Sequence, residues 1–167
     1  GVAGDQALFK KITIEGELVS KPYIDITINE MDKRGVSARW EGTRSISIDT
    51  TRSYEAKHIT IEGDATAASY AASLACIHRG QVKFTNLGSN TRQGDYRFFE
   101  VLERLGAEVT RDQTSTLIRG PSRLTTFKSI DMQDMPDVAL TLIALAPLLN
   151  EELSISGLSS LHHKECD

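Results

Sequence analysis

An internal repeat of about 71 residues runs through the chain and dictates most of what it can fold into. Leu153-Ser154-Ile155-Ser156-Gly157-Leu158 follows the pattern of Val82-Lys83-Phe84-Thr85-Asn86-Leu87. The stretch ending Met31-Asp32-Lys33-Arg34-Gly35-Val36 is matched by Leu102-Glu103-Arg104-Leu105-Gly106-Ala107. A period of this length is that of a strand-and-helix folding unit, not of a short solenoid turn. The third copy stops about ten residues before a counterpart of Gly35 and Gly106 would fall. The expectation is therefore a fragment of a longer protein.

A chain of 167 residues makes one ordinary domain or two small ones. With 40% apolar and 25% charged residues it reads as a soluble globular protein rather than a disordered tail. The net charge of −4 gives no support for nucleic-acid binding, which shows as a basic excess. No apolar run approaches the ~18 residues of a membrane span. The first residues, Gly1-Val2-Ala3-Gly4-Asp5-Gln6, form neither a signal nor a transit peptide and carry no initiator Met. Cys76 and Cys166 stand in no ligand spacing, and Cys76 sits in an apolar helical stretch as a reduced core residue. That favours a reducing compartment, and the expected setting is cytoplasmic.

Lys11–Gly16 alternates polar and apolar residues and reads as a strand. Ser20-Lys21-Pro22 then opens a helix, with proline where a missing N–H costs nothing, and Gly35 closes it. Strands are expected at Val36–Trp40, Ser45–Ile48 and Lys57–Ile61. A second helix type begins after Asp64, its N-cap, and runs to about His78; its alanines make it thin and mark it for burial. The order then recurs. Strand Gln81–Thr85, a helix from about Asp95 to Leu105, strands Ala107–Arg111, Thr116–Arg119 and Phe127–Asp131, an apolar helix Asp137–Leu148, and strand Glu152–Ser156 follow. The class is mixed α/β in repeated β-α-β-β-(β)-α units, with apolar helices inside and amphipathic ones outside.

Three polar clusters lie at or beside strand-to-helix junctions. Ser20-Lys21-Pro22-Tyr23-Ile24-Asp25 places a serine and a cation at a helix N-terminus, which suits an anion. It also suits a plain capped helix with a solvated lysine. Asp137 in Met135-Pro136-Asp137 is either an N-cap or a carboxylate poised as a base at the mouth of an apolar bundle. Ser159-Ser160-Leu161-His162-His163-Lys164-Glu165-Cys166-Asp167 offers His162, His163, Cys166 and Asp167 as metal ligands, yet adjacent histidines point apart, and no metal site is expected. Gly88-Ser89-Asn90-Thr91-Arg92-Gln93-Gly94-Asp95 matches no phosphate loop and reads as a turn and helix start.

Taken in order, Ser20-Lys21-Pro22-Tyr23-Ile24-Asp25-Ile26-Thr27, Glu62-Gly63-Asp64-Ala65-Thr66-Ala67-Ala68-Ser69-Tyr70, Gln93-Gly94-Asp95, Met135-Pro136-Asp137 and Lys164-Glu165-Cys166-Asp167 resemble the 5-enolpyruvylshikimate-3-phosphate synthase family. The resemblance covers essentially the whole chain. The sister family that acts on UDP-N-acetylglucosamine shares the repeated fold but is not expected to carry the first and last of these runs in this form. The resemblance implies the inside-out α/β fold of the enolpyruvyl transferases, six units in two globes with the site in the cleft between them. Residues 1–62 would belong to the first globe and 63–167 to the second.

It also implies roles. Ser20 and Tyr23 match positions that hold shikimate 3-phosphate, Asp137 the base for its 5-hydroxyl, and Lys164 a lysine near that hydroxyl. Glu165 matches the acid/base residue at the phosphoenolpyruvate methylene. Ser160 stands where many members have a substrate-contacting asparagine; serine is shorter and lacks the amide donor. The implied route is enolpyruvyl transfer by addition and elimination, needing no metal or redox cofactor. Its partners are two small phosphorylated substrates and the rest of the same enzyme, with no nucleic acid or membrane. The family's Lys-Ser-Arg cluster, Ser-Ser-Gln segment and phosphoenolpyruvate arginines have no counterparts here, so the isolated chain is expected to be inactive. A stand-alone binding or scaffold module that kept the fold without the chemistry is the alternative. A zinc hydrolase using His162 and His163 is a third reading.

Overall fold

The computed structural model describes residues 10–18, 21–56 and 58–163, and of His163 the backbone alone. The chain divides into two compact units, Gly1–Thr60 and Ile61–Asp167.

In the first unit, strands β1 (Lys11–Thr13), β2 (Ala38–Glu41) and β3 (Ser45–Ile48) form an antiparallel sheet in the order β1-β3-β2, and helix α1 (Lys21–Lys33) connects β1 to β2. Val36, Ala38 and Ile46 are buried. No residue of α1 is fully buried. Its apolar residues Ile24, Ile28 and Met31 instead line a cleft of about 280 Å³ shared with Ile12, Ile46 and Ile48.

The second unit begins with helix α2 (Ala65–Ile77) and strand β4 (Gln81–Phe84). Helix α3 (Phe98–Arg104) and strands β5 (Glu108–Arg111) and β6 (Thr116–Arg119) follow. Their sheet has the order β4-β6-β5, again antiparallel throughout. Both units thus build strand, helix and hairpin with the first strand pairing the last. The repeat reaches the hydrogen bonds. Gly35 and Gly106 have φ of 88° and 101°, and the residue after each donates back into the helix, Val36 N to Met31 O at 3.1 Å and Ala107 N to Leu102 O at 2.9 Å. Only glycine adopts that terminating conformation without strain.

Strand β7 (Ser129–Asp131) pairs in parallel with β8 (Ser154–Ser156), and helix α4 (Ala139–Leu145) lies between them in the chain. A parallel pair needs such a crossover, so α4 packs back over the core. That core gathers Phe98, Phe99, Leu102, Leu105, Ile118, Met132, Leu142 and Leu145, each less than 2% exposed. Phe99 sits edge-on to Phe84 with ring centres 5.6 Å apart and is tilted against Tyr96 at 5.0 Å. Cys76 is a free thiol in the same core, and burial pushes its pKa up to about 11.

Three expectations are revised. Residues 58–61 form no strand: Asn86, beyond β4, receives Gly63 N on its carbonyl at 2.6 Å and donates its Nδ2 to Ile61 O at 2.5 Å, and Ile61 is 82% exposed. The two later helices are shorter than their apolar patterns, each opening with a 3-10 turn, Gly94–Arg97 and Pro136–Val138. Another 3-10 turn, Ala146–Leu148, ends the last one at Pro147, which has no N–H to continue an α-helix. Finally, α2 is not covered all round, for Tyr70, Leu74 and Ile77 are 56%, 55% and 40% exposed.

Phe99→Ala should cost about 3–5 kcal/mol, as for a fully buried phenylalanine, read from chemical denaturation. The β5–β6 turn carries a pH signature. The Asp112 carboxylate accepts the Ser115 hydroxyl at 2.6 Å and the backbone N–H groups of Thr114 and Ser115 at 2.7 and 2.6 Å, which hold its pKa below the ordinary aspartate value. A depressed folded-state pKa means that its stabilisation is present above the unfolded value, about 3.9, and is lost as pH falls through the folded value. Asp112→Asn should therefore flatten the acid limb of a stability-versus-pH curve below about pH 4, with little change in slope near neutrality.

Candidate active site

The loops after β7 and β8 leave the same end of a parallel pair, the edge where open α/β sheets place their chemistry. Their backbones are tied together. Met132 N donates to Ser156 O at 2.9 Å, and Ser156 Oγ donates to Ile130 O at 3.3 Å. Gly157, at φ 77°, has no room for a side chain, because a Cβ there would strike the Asp131 carboxylate and the Gln133 backbone. Gln133 N also donates to Asp131 Oδ1 at 2.9 Å, closing a turn.

Alternating anchors decide what this loop presents. Met132, Met135, Pro136 and Val138 are buried, whereas Asp134 is exposed and Asp137 half-buried. Asp134 pairs with Arg97 at 3.3 Å, both side chains being largely solvated. Asp137 is the middle residue of the Pro136–Val138 turn, whose cap position is held by Met135. The N-cap reading of Asp137 is thereby set aside, since the cap positions of that turn and of α4 are held by Met135 and Val138. A half-buried carboxylate at such an edge is placed for proton transfer. Leu158 and Leu161 pack on the core, and Leu161 N donates to Leu158 O at 3.0 Å. The half-buried Ser160 sits in the turn between them. Asp137 and Ser160 thus follow neighbouring strand ends.

Asp64 does cap α2. Its Oδ1 accepts from Thr66 N at 2.8 Å and Ala67 N at 3.3 Å. Gln93 completes the end: its Oε1 accepts from Ala65 N at 2.8 Å and its Nε2 donates to Gly63 O at 2.7 Å. The Thr66 hydroxyl bonds the carboxylate of Asp95, itself 5% exposed. Thus the segments around Glu62-Gly63-Asp64 and Gln93-Gly94-Asp95 form one scaffold that fixes α2.

In the first unit, Tyr23 lies in the opening turn of α1, 39% exposed, and its carbonyl accepts from Thr27 Oγ1 at 3.0 Å. Lys21 turns along its own helix to Asp25 at 2.6 Å and lies over the Trp40 ring, 4.9 Å from its centre. Trp40 Nε1 donates to Asp25 Oδ1 at 2.8 Å, tying α1 to β2. Ser20, Lys164 and Glu165 lie outside the described residues, as do Cys166 and Asp167. Among the described residues no three metal-ligating side chains come together, and no helix is long and apolar enough to cross a membrane.

Sequence reading missed the hydroxyls of Ser69 and Thr141, which meet at 3.1 Å inside the core. Both stand at inward positions of helices that are otherwise apolar, and a polar residue there signals a buried hydrogen bond. It also missed the Trp40–Asp25–Lys21 cluster, which only the pairing of α1 with β2 assembles.

A sequence profile of the family EPSP synthase (3-phosphoshikimate 1-carboxyvinyltransferase) matches residues 6–167. A relative from Pseudoalteromonas atlantica named 3-phosphoshikimate 1-carboxyvinyltransferase is 36% identical over 93% of this chain and 36% of its own length. One of the same name from Vibrio campbellii is 38% identical over 94% of this chain and 37% of its own. Among solved structures, an EPSP synthase from Acinetobacter baumannii superposes with a TM-score of 0.70 at 22% identity, over 94% of this chain and 36% of that one. The enolpyruvyl transferase NikO from Streptomyces tendae gives 0.54 at 13% identity, over 78% of this chain and 32% of that one. The two superpositions show the shared fold. The chain spans little more than a third of the length of the curated relatives it matches.

Replacing Asp64 or Gln93 by alanine should cost about 1 kcal/mol each, the value of a lost helix cap, read from denaturant midpoints. Glu103→Ala, which breaks an ion pair to Arg111 at the surface, should change stability by less than about 1 kcal/mol.

Proposed function

The chain belongs to the EPSP synthase family, and on that premise we propose that it is the central part of an enzyme transferring the enolpyruvyl group of phosphoenolpyruvate to the 5-hydroxyl of shikimate 3-phosphate. The observation that carries this reading is the family match over residues 6–167. The half-buried Asp137 at the exit of a parallel strand pair supports it. The parent enzyme works in aromatic amino-acid biosynthesis, in the cytoplasm.

The proposed chemistry divides among this chain's residues. Asp137 takes the proton of the 5-hydroxyl as that oxygen attacks C2 of phosphoenolpyruvate. Glu165 delivers a proton to C3, giving a tetrahedral intermediate, and removes one from C3 as the C–O bond to phosphate breaks. Two carboxylates serve as base and acid when their surroundings push their pKa values apart. Lys164 stabilises charge developing at the attacking oxygen, and Ser160 offers a hydroxyl to the sugar-like ring. Ser20 binds the 3-phosphate at the start of α1, and Tyr23 lies against the ring. Residues 1–62 then belong to one globe and 63–167 to the other, a reading supported by the division of the structure after Thr60. The remaining length of the polypeptide supplies the other cations around the two substrates.

Turnover and fluorescence measurements test this. The full-length parent should form 5-enolpyruvylshikimate 3-phosphate and inorganic phosphate in equal amounts, and Asp137→Asn should lower kcat by about 10²–10⁴-fold. Absence of turnover by the unaltered parent would overturn the assignment. The isolated chain should be inactive with both substrates. Trp40 is its only tryptophan and lies beneath Lys21, so shikimate 3-phosphate bound at the start of α1 should change its emission.

A further inference from the structure

We infer that Lys21 is a further binding residue for the 3-phosphate and that Asp25 competes with the substrate for it. The inference rests on the proposed placement of that phosphate at the start of α1. Lys21 is the first residue of α1, and the first turn of the helix carries no acidic residue. This reverses the common pattern, because the partial positive charge at a helix N-terminus favours carboxylates and disfavours cations. A phosphate dianion changes the sign of that balance, for the lysine and the helix end then attract the same group. The Cα–Cβ bonds of a helix tilt toward its N-terminus, so the flexible four-carbon stem of Lys21 can reach that end.

In the structure the ammonium group is held one turn along the helix. Lys21 Nζ donates to both oxygens of Asp25, at 2.9 and 2.6 Å, and lies 4.9 Å from the centre of the Trp40 ring. Asp25 in turn accepts Trp40 Nε1 from β2 at 2.8 Å, which fixes the carboxylate against the sheet. The cluster therefore gives Lys21 a defined alternative to the substrate. Its hold is light. The Lys21 and Asp25 side chains are 47% and 38% exposed, and ion pairs so open to water are weak. A phosphate monoester brings up to two charges and three strong acceptor oxygens, which suit an ammonium with three donors better than a carboxylate already shared with Trp40. Affinity for the substrate is thus the difference between two attractions for one cation, and each can be removed separately.

The test is made in the full-length parent enzyme with both substrates. K21M keeps an unbranched side chain and removes the charge. It should raise the KM for shikimate 3-phosphate about tenfold, as for a lost charge-assisted hydrogen bond, and leave kcat within about twofold. K21R should restore most of the affinity. The inhibition constant of shikimate, which lacks the phosphate, should stay within about twofold in K21M. D25N keeps an acceptor for Trp40 Nε1 and removes the competing charge, so it should lower the KM about two- to fivefold. That gain should shrink in K21M/D25N, because Asp25 acts through Lys21. A merely structural role for the cluster predicts the opposite sign, a higher KM in D25N together with a lower melting temperature. That result, an unchanged KM in K21M, an equal loss for shikimate, or an undiminished gain from D25N in the double variant would overturn the inference. Lack of turnover by the unaltered enzyme counts against the proposed function instead, so the two failures are distinguishable.

Discussion

The close approach of α2 to its neighbours governs the second unit. Its inward face is alanine and serine, so α3, α4 and β6 can come near enough for their large side chains to fill the space between. Gly120 shows how near: a Cβ there would run into the backbone of Ala75 and Cys76 on α2. A thin helix has few side-chain contacts of its own with which to fix its position. Its N-terminus is instead held by polar groups, Asp64 on two N–H groups, Gln93 on a third and Asp95 on Thr66. Smooth packing and a firmly held end are complementary requirements, one setting distance and the other setting register.

Much of this was legible in the sequence because the repeat combines independent signals. Gly35 and Gly106 mark helix ends through a backbone requirement that no neighbour can override. Ser45–Ile48 alternates clearly, and both it and Thr116–Arg119 appear as strands within those limits. The elements read less well are those whose ends tertiary contacts decide. Asp137–Leu148 looks like one helix by composition, yet both ends are 3-10 turns, the second at Pro147. The segment 58–61 carries strand-type residues but lacks the ladder that β7 obtains from β8. Strand identity there depends on a partner, and no local pattern specifies one.

The site divides in the same way. Asp137 stands out in sequence because a carboxylate before an apolar helix has only two common uses, and the structure removes one of them by giving the cap position to Met135. Ser160 was legible only by alignment with a family pattern, since an isolated serine in a turn has no distinguishing chemistry. Lys21 is a different case. Its position suggested a cation facing an anion beyond the helix, whereas Asp25 and Trp40 draw it back along the helix. The exposed pair contributes less than about 1 kcal/mol, so an arriving phosphate dianion can compete for that lysine.

The difference between α1 and α3 shows how one repeat can serve two purposes. Both follow a strand, close on glycine and feed a hairpin, yet α3 buries Phe98, Phe99, Val101 and Leu102 while α1 buries nothing fully. The unit with the filled core holds its polar groups in a fixed network, and the carboxylate proposed as base belongs to that unit. General-base catalysis requires the base within hydrogen-bond reach of a particular proton, and small displacements are costly. Phosphate binding through a helix N-terminus and long side chains is more tolerant, because attraction to an anion falls off slowly with distance. A tightly packed unit suits the proposed proton transfer, and a looser one suits the proposed substrate binding.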